Sequence, residues 1–75
     1  MAKDKVLVDS SYLFALFEEE DEGHKKALNF SDFFRGDFIV PYVVLTEVAF
    51  LFKRRGGVPS LASFIDRFVE MNPTL

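Results

Sequence analysis

The sequence predicts an α/β fold: a parallel sheet with flanking helices in the order β-α-α-β-α-α. Three observations predict it. Two short, β-branched apolar runs, Lys5-Val6-Leu7-Val8 and Phe38-Ile39-Val40, are each followed by a helical pattern. Turn and cap residues bound them, with Asp9-Ser10-Ser11 after the first, Gly36-Asp37 before the second and Pro41 behind it. The stretch between the runs carries two helical patterns, so the chain returns through helices and the two strands are expected to be parallel.

The elements follow in order. Lys5 to Val8 is short, continuous and Val-rich, as a buried strand is. Ser10 and Ser11 can cap the helix that follows, and Tyr12 to Phe17 is apolar almost throughout. The acidic run Glu18 to Glu22 ends that helix and opens the next, where the macrodipole favours negative charge. Asp21 or Glu22 is the expected cap of a second helix over roughly residues 23–34. Its apolar positions Ala27, Leu28, Phe30, Phe33 and Phe34 follow helical spacing, and Gly36-Asp37 breaks it.

Phe38 to Val40 is the second strand, and Pro41 suits the first turn of a helix because no N–H is lost there. A third helix is expected over residues 42–55. It is apolar nearly all round, and such a helix is expected to be buried on every side. Lys53, Arg54 and Arg55 suit its carboxyl end, and Gly56-Gly57 supplies a stop. Pro59 and Ser60 open a fourth helix, Leu61 to Met71, with Leu61, Phe64, Ile65 and Phe68 on one stripe. Asn72-Pro73 ends it, and Thr74 and Leu75 are placed to begin another strand. Two parallel strands are few for a sheet that needs both faces covered. The pattern is that of the first half of a larger α/β domain.

Composition narrows the function classes. The chain has 75 residues, of which 49% are apolar and ten are Phe. A domain this small leaves much of its surface exposed, so part of that apolar surface is expected to meet another chain. Net charge is −3 and no long basic block exists, so the overall field does not mark a nucleic-acid binder. With no cysteine there are no disulfides and no thiolate metal sites. The apolar stretch from Val43 to Phe52 is interrupted by Glu47 and is too short to span a bilayer. The opening residues show no signal peptide, and a cytoplasmic location is the expectation.

The chemistry-bearing residues are Asp9 and Glu47. Asp9 ends the first strand, and ligands of open α/β sheets bind beyond the carboxyl ends of the strands. Glu47 lies a turn or so into the helix after the second strand. Two carboxylates converging there would make a divalent-cation site. Each has a plainer alternative. Asp9 is also a natural helix N-cap. Glu47 is also a solvated helix charge, although its neighbours are apolar on both sides and a buried carboxylate needs a partner, a proton or an ion. Ser11 either caps the helix or hydrogen-bonds a ligand. His24 reads as a packed or surface residue rather than a ligand. The Lys53–Arg55 run complements a helix end or touches RNA phosphates, and the acidic run at residues 18–22 reads as a solvated turn.

These residues carry a resemblance. The Val8-Asp9-Ser10-Ser11 strand end, the Leu13-Phe14-Ala15-Leu16-Phe17 helix, His24 with Ala27-Leu28, and Ile39-Val40-Pro41 followed by Leu45-Thr46-Glu47-Val48 together resemble the N-terminal half of a PIN domain. That is the nuclease fold of many toxins of toxin–antitoxin pairs. The resemblance spans almost all of residues 1–75 and implies a single, incomplete PIN-like domain. It implies a hydrolase, a ribonuclease dependent on Mg²⁺ or Mn²⁺, with Asp9 and Glu47 as catalytic and metal-binding acids and Ser11 or Ser10 as the hydroxyl beside the first aspartate. It implies RNA as substrate and a partner chain such as an antitoxin. The family's further acids lie downstream of the region matched here, and Asp66 is not their replacement. A truncated nuclease, weak or inactive alone, is therefore expected. The alternative is a non-catalytic, oligomerising interaction module that uses the half-fold's open sheet edge and apolar helix faces. A fragment of a reading frame with no independent role is the third.

Overall fold

The computed structural model describes residues 4–74. Strands β1 (Lys5–Leu7) and β2 (Asp37–Ile39) pair in parallel, Lys5 with Asp37, Val6 with Phe38 and Leu7 with Ile39. Helices α1 (Ser10–Phe17) and α2 (His24–Phe33) lie between them in the chain, and α3 (Tyr42–Met71) follows β2. The molecule is thus mixed α/β, with a two-stranded parallel sheet and three helices. The strands run a residue short of expectation at their carboxyl ends, but the Val8 amide still donates to the Ile39 carbonyl at 2.9 Å.

β1 departs from the expected buried strand. Residues two apart share a face of a strand. Lys5 and Leu7 share one and are both exposed, Leu7 at 71%. Val8, on the opposite face, is buried. The apolar character of the run reflects a sheet with a single covered face, not two. Where β2 begins, the Asp37 amide donates to the Asp4 carbonyl at 2.8 Å. A Cβ at Gly36 would overlap that same carbonyl, so the two chains approach this closely only because glycine stands there.

α1 is the centre of the packing and contacts both α2 and α3. Leu13, Leu16 and Phe17 recur at helical spacing and are buried together with Ala15. The Glu18 amide closes the helix on the Phe14 carbonyl at 2.8 Å, as expected of the acidic run. α2 buries far less than its sequence suggests: only Ala27 is buried, while Leu28, Phe30 and Phe33 are exposed. Its cap also differs. Gly23 stands at the N-cap, and Asp21 acts one step earlier by accepting the Gly23 amide at 2.9 Å. Two polar bonds fasten α2 to α1: Tyr12 Oη donates to the Ala27 carbonyl at 3.0 Å, and His24 Nδ1 lies 2.7 Å from the Ala15 carbonyl. His24 is thus a packing residue.

The two helices expected after β2 form one continuous element broken at Gly57. Its φ of 73° and ψ of −164° are open to glycine and strained for other residues. The break places Pro59 in the first turn of the second arm, where its missing N–H costs nothing. The arms fold back on one another. A straight helix would hold residues 52 and 64 about 18 Å apart, yet the Phe52 and Phe64 rings stack at 4.9 Å. Phe17 meets Phe64 edge-on at 5.2 Å and Phe14 meets Phe52 at 5.0 Å, so phenylalanines of α1 fill the angle between the arms. The first arm is not buried on every side. Val48 and Phe52 are buried, whereas Tyr42, Val43, Phe50 and Leu51 are exposed. α1 and the second arm cover one side of the helix and leave the other to solvent. Lys53, Arg54 and Arg55 sit just before the break, and the Arg55 guanidinium lies 5.4 Å from the Phe14 ring centre.

Asn72 ends α3 in the left-handed region, with φ 53°, and its amide bonds the Val69 carbonyl. The chain then returns to the sheet. The Val40 amide donates to the Thr74 carbonyl at 2.8 Å and the Thr74 amide to the Phe38 carbonyl at 3.0 Å, which makes a parallel bridge with Ile39. Thr74 thus continues the sheet beyond β2, as the sequence suggested; Leu75 lies outside the described residues. Among the described residues no helix is long and apolar enough to cross a membrane.

Candidate functional site

β1 delivers Asp9 to the carboxyl end of the sheet, and the turn into α1 fixes its side chain. Asp9 Oδ1 accepts the Tyr12 amide at 2.8 Å and the Ser11 hydroxyl at 3.3 Å. Asp9 is therefore the N-cap of α1, in extended conformation with ψ 172°. Ser10 and Ser11, expected as caps, stand inside the first turn. Both bonds end on one carboxylate oxygen, and the residue is exposed. Capping and ligand binding are thus compatible at Asp9: one oxygen holds the helix and the other is left free of these bonds.

Asp9 opens onto a cleft of about 530 Å³ between α1 and the start of α2. Ser11, Tyr12, Asp21 and Lys26 share its lining, over a floor of Ala15, Ala27 and Phe30. A smaller hollow of about 170 Å³ adjoins it under Tyr12, Phe30 and Phe38, where Asp9 again forms the rim. The Tyr12 ring stacks on Phe38 and meets Phe30 edge-on. Burial among them raises the Tyr12 hydroxyl above its ordinary value of 10.0, so it is a neutral donor across the working pH range. Asp21, Tyr12 and Lys26 were not singled out from the sequence as site residues. The Asp21-Glu22-Gly23 turn was the available signal, because an aspartate two residues before glycine bends the chain back on its own amide.

Glu47 is not among the residues that line this cleft. It is exposed, and it lines a depression on the outer side of α3 with Val43, Thr46, Phe50 and Leu51. The structure brings Asp9 and Ser11 together and gives Glu47 a different opening. Among the described residues, no group of three or more His, Cys, Asp or Glu side chains is arranged to hold a metal ion. Asp9 Oδ2 takes part in neither of the bonds made by Asp9 Oδ1, and Asp21 has an oxygen engaged by the Gly23 amide.

Compared with protein-family models, with curated proteins and with solved structures, the chain matches none.

Proposed function

We propose that this chain carries the first β-α-β unit of a PIN-like ribonuclease fold and that, as 75 residues, it cleaves RNA weakly or not at all. The observation that carries the reading is the placement of Asp9. It ends a parallel strand, caps the following helix through one oxygen, and presents itself at the rim of a cleft. The PIN resemblance assigns its first metal-binding acid to this residue. Glu47, the second acid that the resemblance assigns, lines a different depression, and the family's further acids lie downstream of the matched region. Catalysis of phosphodiester hydrolysis needs metal, water and phosphate held in one geometry, and a misplacement of about 1 Å can cost on the order of a hundredfold.

A ribonuclease assay in Mg²⁺ and in Mn²⁺, run beside Asp9→Asn, tests the reading. Asn caps a helix as well as Asp does, so this variant removes the charge and leaves the fold. The expected result is no cleavage above the Asp9→Asn background. Cleavage that needs the metal and disappears in the variant would show a complete site and overturn the claim of inactivity.

A second reading, an interaction module that self-associates, has its own observation. The first arm of α3 leaves Tyr42, Val43 and Phe50 exposed at 69%, 65% and 59% on a helix whose opposite side is core. Contiguous apolar surface of this kind usually marks a contact.

A further inference from the structure

The exposed side of α3 is ordered. Val43, Glu47, Phe50 and Arg54 are spaced by four, three and four residues, so they form one stripe along the helix. All four are exposed, and Leu51 flanks them. Val48 and Phe52, on the opposite side, are buried. The stripe also has a polarity. An acid, Glu47, and a base, Arg54, lie equally far on either side of the Phe50–Leu51 step. A stripe with an acid at one end, a base at the other and apolar residues between is complementary to itself when reversed.

We propose that two copies of this chain pair through this stripe, antiparallel about a two-fold axis. Phe50 and Leu51 of the copies meet at the axis, and Glu47 of each copy faces Arg54 of the other. This rests on the self-association reading above and names the surface and the partner for it. A two-fold contact requires one patch to be complementary to itself, and this pattern meets that requirement in both charge and apolarity. The spacing of four and three is the one with which paired helices interlock side chains along a seam. The two ion pairs flank the apolar centre, where they set direction and register, because a parallel arrangement would oppose Glu47 to Glu47 and Arg54 to Arg54. In the pair, Glu47 belongs to the interface; it is not among the residues lining the Asp9 cleft. Arg55 is occupied on its own α1, over Phe14, which leaves Arg54 as the base on the stripe.

Sedimentation equilibrium on the wild type, E47R, R54E and an equimolar mixture of the two variants tests the proposal. The wild type is expected to be a dimer at micromolar concentration. Each single reversal opposes like charges twice per dimer and raises the dissociation constant by roughly tenfold or more. In the mixture, the two reversed side chains face one another with opposite charges. The Glu47 kept by R54E meets the Arg54 kept by E47R, so every pairing is again attractive and dimerisation returns. Circular dichroism checks that both variants are folded, and E47Q and R54Q, expected to weaken pairing less, replace any reversal that is not. A wild type that stays monomeric at high micromolar concentration overturns the interface and the self-association reading together. A wild-type dimer indifferent to both reversals, or a mixture that remains monomeric, overturns this interface alone. Neither outcome touches the nuclease reading, which is tested at Asp9.

Discussion

Phe64 is the side chain whose loss the fold should feel most. It is fully buried, and its ring meets Phe52 of the opposite arm of α3 at 4.9 Å, Phe17 of α1 at 5.2 Å and Phe68 at 5.8 Å. Phe64→Ala removes the common member of these pairs and leaves a hole where the two arms and α1 converge. Phe→Ala substitutions in cores cost about 3–5 kcal/mol. Three ring partners place this one near the top of that range, since aromatic pairs each add about 0.5–1.5 kcal/mol beyond area alone. A chain of this length has roughly 4–11 kcal/mol of total stability, so the variant should stand close to unfolding at room temperature. Urea titration followed by far-ultraviolet circular dichroism, at one fixed protein concentration, reads the change. Phe33→Ala is the control, because Phe33 is 84% exposed, and it should shift stability by no more than about 0.5 kcal/mol. If Phe64→Ala costs less than about 1 kcal/mol, or Phe33→Ala costs as much as it, the described core is not the one that holds the molecule together.

Two further predictions concern the cleft. Asp9→Ala should destabilise by about 1 kcal/mol through loss of the cap, while Asp9→Asn should leave the urea midpoint nearly unchanged; equal losses in the two would mean that the Tyr12 amide bond is not what Asp9 contributes to stability. Burial raises the Tyr12 hydroxyl, so the native state holds its proton longer than the unfolded chain does. Its contribution is intact below pH 10.0, the ordinary tyrosine value, and declines as pH rises above it, because the unfolded state deprotonates first. Tyr12→Phe should flatten that alkaline decline in a pH series of urea midpoints.

Much of the architecture was legible because its signals are local. Pro41 before a helix, Gly57 at a break and Asn72 before Pro73 each dictate backbone geometry by their own chemistry, and each acts where expected. The parallel pairing of the strands also followed from the run of helices between them. What the sequence could not carry was which side of each element faces a neighbour. Leu7, Phe33, Val43 and Phe50 are as apolar as Leu13 or Phe64, yet they are exposed because no second layer lies over them. The expectation of a buried Glu47 failed for the same reason. Apolar neighbours in the chain imply burial only if something covers them, and the outer side of α3 is uncovered. At Asp9 the sequence offered a cap and a ligand as alternatives, and Ser10 and Ser11 obscured the cap. The extended conformation of Asp9 aims one carboxylate oxygen at the Tyr12 amide, so the cap forms without excluding the ligand role.

The placement of the two tyrosines makes the molecule its own optical probe. With no tryptophan in the chain, tyrosine emission is unobscured and comes from Tyr12 and Tyr42 alone. Tyr12 is packed between Phe30 and Phe38 with its hydroxyl tied to the Ala27 carbonyl, at the seam of sheet, α1 and α2. Tyr42 stands exposed at the first residue of α3. A soluble quencher would therefore dim Tyr42 more readily than the partly buried Tyr12, and the difference would close as the seam opens. The same cuvette, without any label, can thus distinguish a change at the outer helix surface from a loosening of the interior.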